Sequence, residues 1–145
     1  MDEKKELRFD TGVVTYRING TFELTVNPSD IVFIERLYDT FYVLDEKQEA
    51  YNAEVTAAQK REVFEIARRR DAEMREMIDG VLGEGASAQL FGAMSAYALA
   101  DGLPVWANLL LMIIDEMDDV MTSAKTRGDS RLHKYTEKYK YRSGR

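Results

Sequence analysis

Two short runs of β-branched and aromatic residues near the start of the chain, 13–18 and 21–26, flank the dipeptide Asn19-Gly20. Both Asn and Gly tolerate a positive φ, and Asn-Gly between two such runs is the strongest local indication of a β-hairpin. The second run alternates apolar with polar residues, which gives one apolar face consisting of Phe22, Leu24 and Val26. Because an isolated hairpin is marginal in water, this face must pack on helices or on another chain.

The spacing of apolar residues changes to three or four after residue 27, which predicts helices. The sequence Asn27-Pro28-Ser29-Asp30 predicts the first helix start, with Asn27 as the cap and Pro28 at the first position. We expect this helix to end near Leu44 and a longer one to continue from about Asp45 to Leu82.

A pair of glycines, Gly83 and Gly85, interrupts the helical pattern. Glycine readily adopts the left-handed backbone that ends a helix. We expect a short helical turn to follow, capped by Ser87 or Glu84 and ending at Phe91. A further short helix is predicted over residues 93–99, and a last strong helix begins at Pro104. Its apolar stripe is Leu103, Ala107, Leu110, Ile114, Met117 and Met121.

These elements predict an α+β, mainly α-helical fold, with an N-terminal β-hairpin followed by about four helices and a basic C-terminal extension. The apolar stripes carry several methionines, whose flexible side chains suit both core filling and adaptable binding surfaces. Trp106 is open to the same two interpretations, as a core residue or as a partner anchor. The predicted partner-binding residues are Met74, Met77, Val81, Phe91, Trp106, Leu110, Ile114, Met117 and Met121.

The net charge of −6 conceals two oppositely charged segments. Residues 125–145 carry eight basic and two acidic side chains, a charge of +6, whereas residues 1–124 carry twelve basic and twenty-four acidic side chains, a charge of −12. We therefore divide the chain into an acidic hairpin-plus-helices domain, 1–124, and a basic C-terminal tail, 125–145. An acidic domain of this kind is unsuited to binding nucleic acid by itself.

The basic tail has three interpretations. It is a mobile terminal extension, a docking helix, or a binder of single-stranded nucleic acid through basic and aromatic side chains. The docking hypothesis has the acidic domain of the same or a neighbouring copy as its target. The predicted docking residues are Leu132, Tyr135, Lys138 and Tyr139.

Two acidic clusters raise the possibility of a Mg²⁺ site, since carboxylates three or four residues apart share a helix face. Paired acidic helices of this kind resemble those of all-helical nucleotide pyrophosphohydrolases, which makes such an enzyme the main alternative function. We expect instead that both clusters are solvated outer faces, with no metal or cofactor bound. The clusters are Asp115, Glu116, Asp118 and Asp119, and Glu73, Glu76 and Asp79.

Other chemistry has little support in the sequence. The chain has no cysteine, and its single histidine, His133, lies in the basic tail. The serines lack a nucleophile-elbow pattern. No apolar run approaches the roughly 18 residues of a membrane span, and the first residues lack the apolar core of a secretory signal. We therefore expect a cytoplasmic protein without enzymatic activity.

The chain resembles the small tail assembly chaperones of long-tailed phages and prophages of Gram-positive bacteria. The resemblance covers roughly residues 15–92 and rests on three features. These are the hairpin with Ile18-Asn19-Gly20, the acid-rich helices after Asn27-Pro28-Ser29-Asp30, and the joint from Ile78-Asp79 to Phe91-Gly92, which contains Gly-Glu-Gly and Phe-Gly. The helix after Pro104 and the basic tail depart from that pattern.

The resemblance implies a non-enzymatic helper in the bacterial host cytoplasm. Such a protein binds the long apolar helices of the tape measure protein and passes it to tail tube protein subunits. Separately from the resemblance, a homo-oligomer of this chain is one of the expected partner arrangements. Exposed apolar helices aggregate before assembly, so a helper needs an apolar surface together with a highly charged exterior. A small regulator that binds nucleic acid through the tail remains a second alternative.

Overall fold

The computed structural model describes residues 3–143, without the side chains at 126, 135 and 138–143. It confirms the predicted fold class, a mainly helical chain with an N-terminal antiparallel hairpin. The elements are β1 (Val14–Ile18), β2 (Phe22–Val26), α1 (Ile31–Ala57), α2 (Lys60–Leu82), α3 (Ala86–Phe91), β3 (Leu99–Ala100), β4 (Leu103–Pro104) and α4 (Val105–Ser143). No helix in this described part of the chain is long and apolar enough to cross a membrane.

The β1–β2 hairpin forms at the predicted position. Val14 pairs with Val26 and Ile18 with Phe22, and the turn residues Asn19 and Gly20 have φ of 51° and 72°. Phe22 and Leu24 are buried and Val26 is half-buried. The alternation along β2 therefore separates a face that packs on the helices from a face that contacts solvent.

The first helix begins near the predicted site, but Asn27 is not its cap. Asp30 caps α1 by accepting a hydrogen bond from the Val32 N–H at 3.0 Å. The Asn27 side chain instead accepts from the Ser29 N–H at 2.8 Å and donates to the Thr11 carbonyl at 2.8 Å. Asn27 thus shapes the turn between the hairpin and the helix.

The predicted helix end near Leu44 is wrong, because α1 continues to Ala57. Leu44 is fully buried in the core. The chain reverses at Ala58 and Gln59, which have extended backbone with ψ of 155° and 156°. Neither residue is a strong helix breaker, so the sequence carries no local indication of this turn.

Charged side chains join α1 to α2 along an antiparallel pair. Lys47 donates to Glu73 at 2.8 Å, and Glu54 accepts from both Arg69 and Arg70. The hydrogen bond from Arg70 is the largest cause that lowers the pKa of Glu54, and the one from Lys47 lowers the pKa of Glu73. The two helices are therefore linked by carboxylates that are more acidic than in an unfolded chain.

We expect this helix pair to lose stability in acid. A carboxyl whose folded-state pKa is depressed stabilises the fold above its ordinary pKa, and that contribution disappears as the pH falls through the folded value. The free energy of unfolding should therefore fall from about pH 5 towards pH 3, and Glu54→Gln with Glu73→Gln should flatten this slope. Urea unfolding at several pH values measures it.

Glu49→Gln with Glu65→Gln is the matched control, because both side chains are exposed on the same two helices. An equal change of slope in the two double variants would contradict a special role for Glu54 and Glu73.

The glycine joint has the predicted left-handed backbone at Gly85 but an extended ψ of 153° at Gly83, and its cap differs from the predicted one. Gly83 and Gly85 have φ of 124° and 82°, which a residue with Cβ rarely adopts. Asp79 supplies the hydrogen bond that Ser87 or Glu84 was expected to make, since its carboxylate accepts from the Ser87 N–H at 2.8 Å. Ser87 itself is buried.

The short helix predicted over residues 93–99 does not form. The chain turns there and enters the two-residue strands β3 and β4, joined by Asp101 and Gly102 with φ of 54° and 80°. Leu103, which was expected on the last helical stripe, lies in β4 and is 41% exposed.

The last helix, α4, extends beyond the predicted stripe. Its 39 residues continue through residue 124, where the charge of the chain changes sign, to Ser143. The first part packs in the core together with α1 and α2, whereas the described side chains from residue 122 onward are almost all exposed. The largest fully buried side chains are Leu37, Leu44, Met74, Ile78, Leu110 and Met117.

Candidate partner-binding groove

Two hollows lie along the first part of α4, beneath the β1–β2 hairpin. The larger has a volume of about 710 Å³ and the smaller about 280 Å³. Both are lined by Ile18, Asn19 and Met112, so they adjoin each other. We refer to the two hollows together as the α4 groove.

The larger hollow has an apolar floor. Leu24 from β2 and Ile113 and Met117 from α4 are each less than 5% exposed and form its base. Met112 is 45% exposed and stands between the two hollows. Met112 is therefore the apolar residue of this set that solvent reaches most.

Acidic side chains form much of the rim of the larger hollow. Asp115 and Asp119 are exposed and Glu116 is half-buried, all on α4. Arg17 is the basic residue among the lining groups, and its guanidinium lies 3.5 Å from Glu23 on the opposing strand. The rim therefore favours a ligand with basic side chains.

A hydrogen bond ties the hairpin to α4 at this rim. The Tyr16 hydroxyl donates to Glu116 at 3.0 Å. Desolvation raises the pKa of Tyr16, and the hydrogen bond to Glu116 raises it further. Tyr16 therefore remains neutral at ordinary pH and holds the Glu116 carboxylate at the edge of the groove.

The smaller hollow lies between the loop after α3 and the start of α4. Leu90, Phe91 and Met94 line one side, and Val105 and Leu109 line the other. Met94 is 45% exposed. This hollow extends the apolar surface of the groove toward the N-terminal end of α4.

The β3–β4 hairpin adds further apolar surface beside the smaller hollow. Leu99 and Leu103 are 75% and 41% exposed. Asn108 on α4 fixes this hairpin by donating to the Ala100 carbonyl at 2.8 Å. Solvent-exposed leucines next to an apolar hollow are typical of protein-binding surfaces.

Most of the predicted partner-binding residues lie inside the protein. Phe91 and Met117 line the groove, and both are nearly buried. The others form the core or pack against it, so in this fold they offer little or no surface to a partner. They are Met74, Met77, Val81, Trp106, Leu110, Ile114 and Met121.

Of the two interpretations of Trp106, core residue or partner anchor, its surroundings match the core residue. Its ring is 2% exposed, packs against Phe41 at 5.5 Å between centroids, and donates its Nε1–H to Gln48 at 2.9 Å. An amphipathic stripe has the same spacing whether its own helices or a partner cover it. At Trp106 the covering residues are Phe41 and Gln48 of α1.

The groove residues were mostly missed from the sequence. Tyr16, Arg17 and Leu24 belong to the hairpin, which was predicted from the sequence as a structural element and not as part of a binding site. Met94 and Met112 lie beside the predicted stripes rather than on them, and this position off the stripe is the signal that could have identified them.

The acidic clusters do not converge on a common site. Among the described residues, no group of three or more Asp, Glu or His side chains is arranged to hold a metal ion. Glu73 is bound to Lys47, Asp79 to the Ser87 N–H and Glu116 to Tyr16. These partners use carboxylates that a Mg²⁺ site would require.

The predicted docking residues of the tail are only partly described. Leu132 is 66% exposed on α4. The side chains of Tyr135, Lys138 and Tyr139 lie outside the described part of the chain.

Searches against known protein families, characterised proteins and solved structures gave no match to this chain.

Proposed function

We propose that this protein is a non-enzymatic tail assembly chaperone that binds the tape measure protein of a long-tailed phage and assists assembly of the tail tube protein around it. The observation that carries the proposal is the α4 groove, an apolar channel with exposed methionines and an acidic rim. The resemblance of residues 15–92 to such chaperones supplies the biological setting, the bacterial host cytoplasm.

The shape of the groove suits a helical ligand. It follows α4 from Val105 to Asp119, a distance of about 21 Å at 1.5 Å per residue. An amphipathic helix of about four turns has a similar length, and laying its apolar face into a groove is a common mode of recognition. Tape measure proteins present such helices in series.

The side chains of the groove suit transient binding of varied sequences. Met94 and Met112 are each 45% exposed, and methionine adapts its shape to different apolar partners. The carboxylates at the rim attract basic residues beside the apolar face of the ligand. A chaperone must release its cargo, so a shallow groove with adaptable walls is appropriate.

The test uses a double substitution on the groove. We expect Met94→Asp with Met112→Asp to weaken binding of a tape measure fragment about tenfold or more, because two charges enter the apolar contact. Both residues are partly exposed, so the fold should tolerate the change. Co-purification and solubility of the co-expressed fragment, followed by calorimetry, measure the effect.

Phe64→Asp is the matched control, since Phe64 is an apolar residue of α2 that is 66% exposed and is not among the residues lining the groove. Unchanged solubilisation by the Met94/Met112 variant, or an equal loss with Phe64→Asp, would remove the groove from the proposed function.

A further inference from the structure

We propose that the α4 groove also binds the basic C-terminal segment of α4, residues 125–143, from a second copy of this chain, and that copies thereby associate head to tail. The interaction does not depend on the proposed function, because both surfaces belong to this protein. Cargo and the neighbouring copy would then compete for one groove.

The segment cannot reach the groove of its own chain. Residues 105–143 form a single helix, and its first part is itself the floor of the groove. Gly128, the residue most able to break the helix, lies within it and lacks a positive φ. The segment therefore extends away from its own groove, and any groove that it occupies belongs to another molecule.

Charge complementarity identifies the segment as the occupant. Asp115, Glu116 and Asp119 surround the larger hollow, whereas residues 125–143 carry seven basic and two acidic side chains, a charge of +5. Lys125 and Lys134 are exposed along it. Attraction between such surfaces accelerates encounter and fixes orientation.

The segment also has the apolar side chain and the length that the groove requires. Leu132 is 66% exposed in the middle of the segment, where no described side chain buries it. Nineteen helical residues extend about 28 Å, compared with about 21 Å for the groove. Docking would bury this leucine on the floor formed by Leu24, Ile113 and Met117.

Helical geometry makes the association head to tail. Leu132 follows Met112 by twenty residues, which places it about 200° around the helix axis, on the opposite side from the groove. In a reciprocal dimer, each α4 would have to face its partner with the groove and with Leu132 at the same time. The opposite positions of these two features around the helix prevent this. Docking through Leu132 instead leaves a free groove at one end and a free segment at the other, so association continues.

The experiment compares the mass of the purified full chain with that of two variants, by sedimentation velocity over a range of concentrations after nuclease treatment. The segment variant is Lys125→Glu with Leu132→Asp, two residues on one side of the helix. The groove variant is Asp115→Lys with Asp119→Lys. We expect the unchanged chain to form species larger than a dimer, and each variant to associate at least about tenfold more weakly.

Mixing the two variants gives the sharpest result. The segment variant retains an intact groove, and the groove variant retains an intact segment. An equimolar mixture should therefore form a heterodimer, and association should stop there because the two remaining surfaces are the altered ones. High salt should dissociate it, because the Debye length falls from about 10 Å at 0.1 M to 3 Å at 1 M.

Two control variants match these changes in type. Lys60→Glu with Phe64→Asp repeats the segment substitutions on α2, where Phe64 is also 66% exposed. Glu49→Lys with Glu65→Lys repeats the groove substitutions on exposed sites. Both controls should assemble like the unchanged chain.

Several outcomes would overturn the inference. A chain that stays monomeric at about 100 μM, where a contact of about −5.5 kcal/mol is half-formed, would overturn it. So would an assembly that stops at the dimer, a mixture of the two variants that stays monomeric, or controls that dissociate as the variants do. Retention of a 20-nucleotide single strand by the unchanged monomer, lost in the segment variant, would assign the segment to nucleic acid instead. Binding of the tape measure fragment and association between copies are measured in separate experiments, so failure of the proposed function can be distinguished from failure of this inference.

Discussion

Leu110→Ala is expected to lower the free energy of unfolding by about 2–5 kcal/mol, as is usual for a leucine fully enclosed in a core. Leu110 is 0% exposed and belongs to the hydrophobic core cluster that also contains residues of α1 and α2. Truncation removes buried apolar surface and leaves a cavity that the surrounding helices fill only in part. For a domain whose total stability is about 5–15 kcal/mol, this loss is severe.

Urea unfolding measures the effect, with an unchanged slope showing that the unfolded state is not altered. Met112→Ala is the control, since Met112 lies two residues further along α4 and is 45% exposed. We expect it to change stability by less than about 1 kcal/mol. Equal effects of the two substitutions would contradict the burial that separates core from groove on this helix.

Asp71→Ala is expected to cost about 1–3 kcal/mol and to loosen the loop that carries Met94, because it leaves a buried N–H without an acceptor. The Asp71 carboxylate accepts from the Ala96 N–H at 2.7 Å and from the Arg75 guanidinium at 3.0 Å. Arg75 in turn donates to the carbonyls of Gly92, at 2.8 Å, and Met94. This network fixes one wall of the groove to α2.

Two measurements test this prediction, one of the loop and one of ligand binding. Hydrogen exchange at the Ala96 amide should accelerate in Asp71→Ala, and binding of a helical ligand in the groove should weaken. Asp45→Ala, an exposed acid on α1, is the control. Unchanged protection of Ala96 would show that Asp71 does not hold this loop.

The hairpin and the glycine joint could be predicted because their causes are local. Asn19-Gly20 adopts the positive φ values that its residue types favour, and Gly83 and Gly85 do the same after α2. The helix reversal at Ala58 and Gln59 could not be predicted in this way. It depends on contacts such as Lys47 with Glu73, which join residues far apart in the sequence.

The candidate site shows a similar division. The sequence indicated which side chains are apolar on α4, but not which of them another helix covers. Leu110 and Met112 are two residues apart on α4, yet the folded core buries the first and leaves the second 45% exposed. Asp71 was missed because its partner, the Ala96 N–H, is revealed only when the loop folds back on α2.

The sequence by itself determined the secondary structure class, the hairpin, the glycine joint and the opposite charges of residues 1–124 and 125–145. These follow from backbone preferences and side-chain charges that each residue carries wherever it is placed. The tertiary structure decided the length of α1, the core position of the methionine stripe and the groove beneath the hairpin. Burial is a property of several segments together, because the free energy gained by covering an apolar face does not depend on which segment covers it.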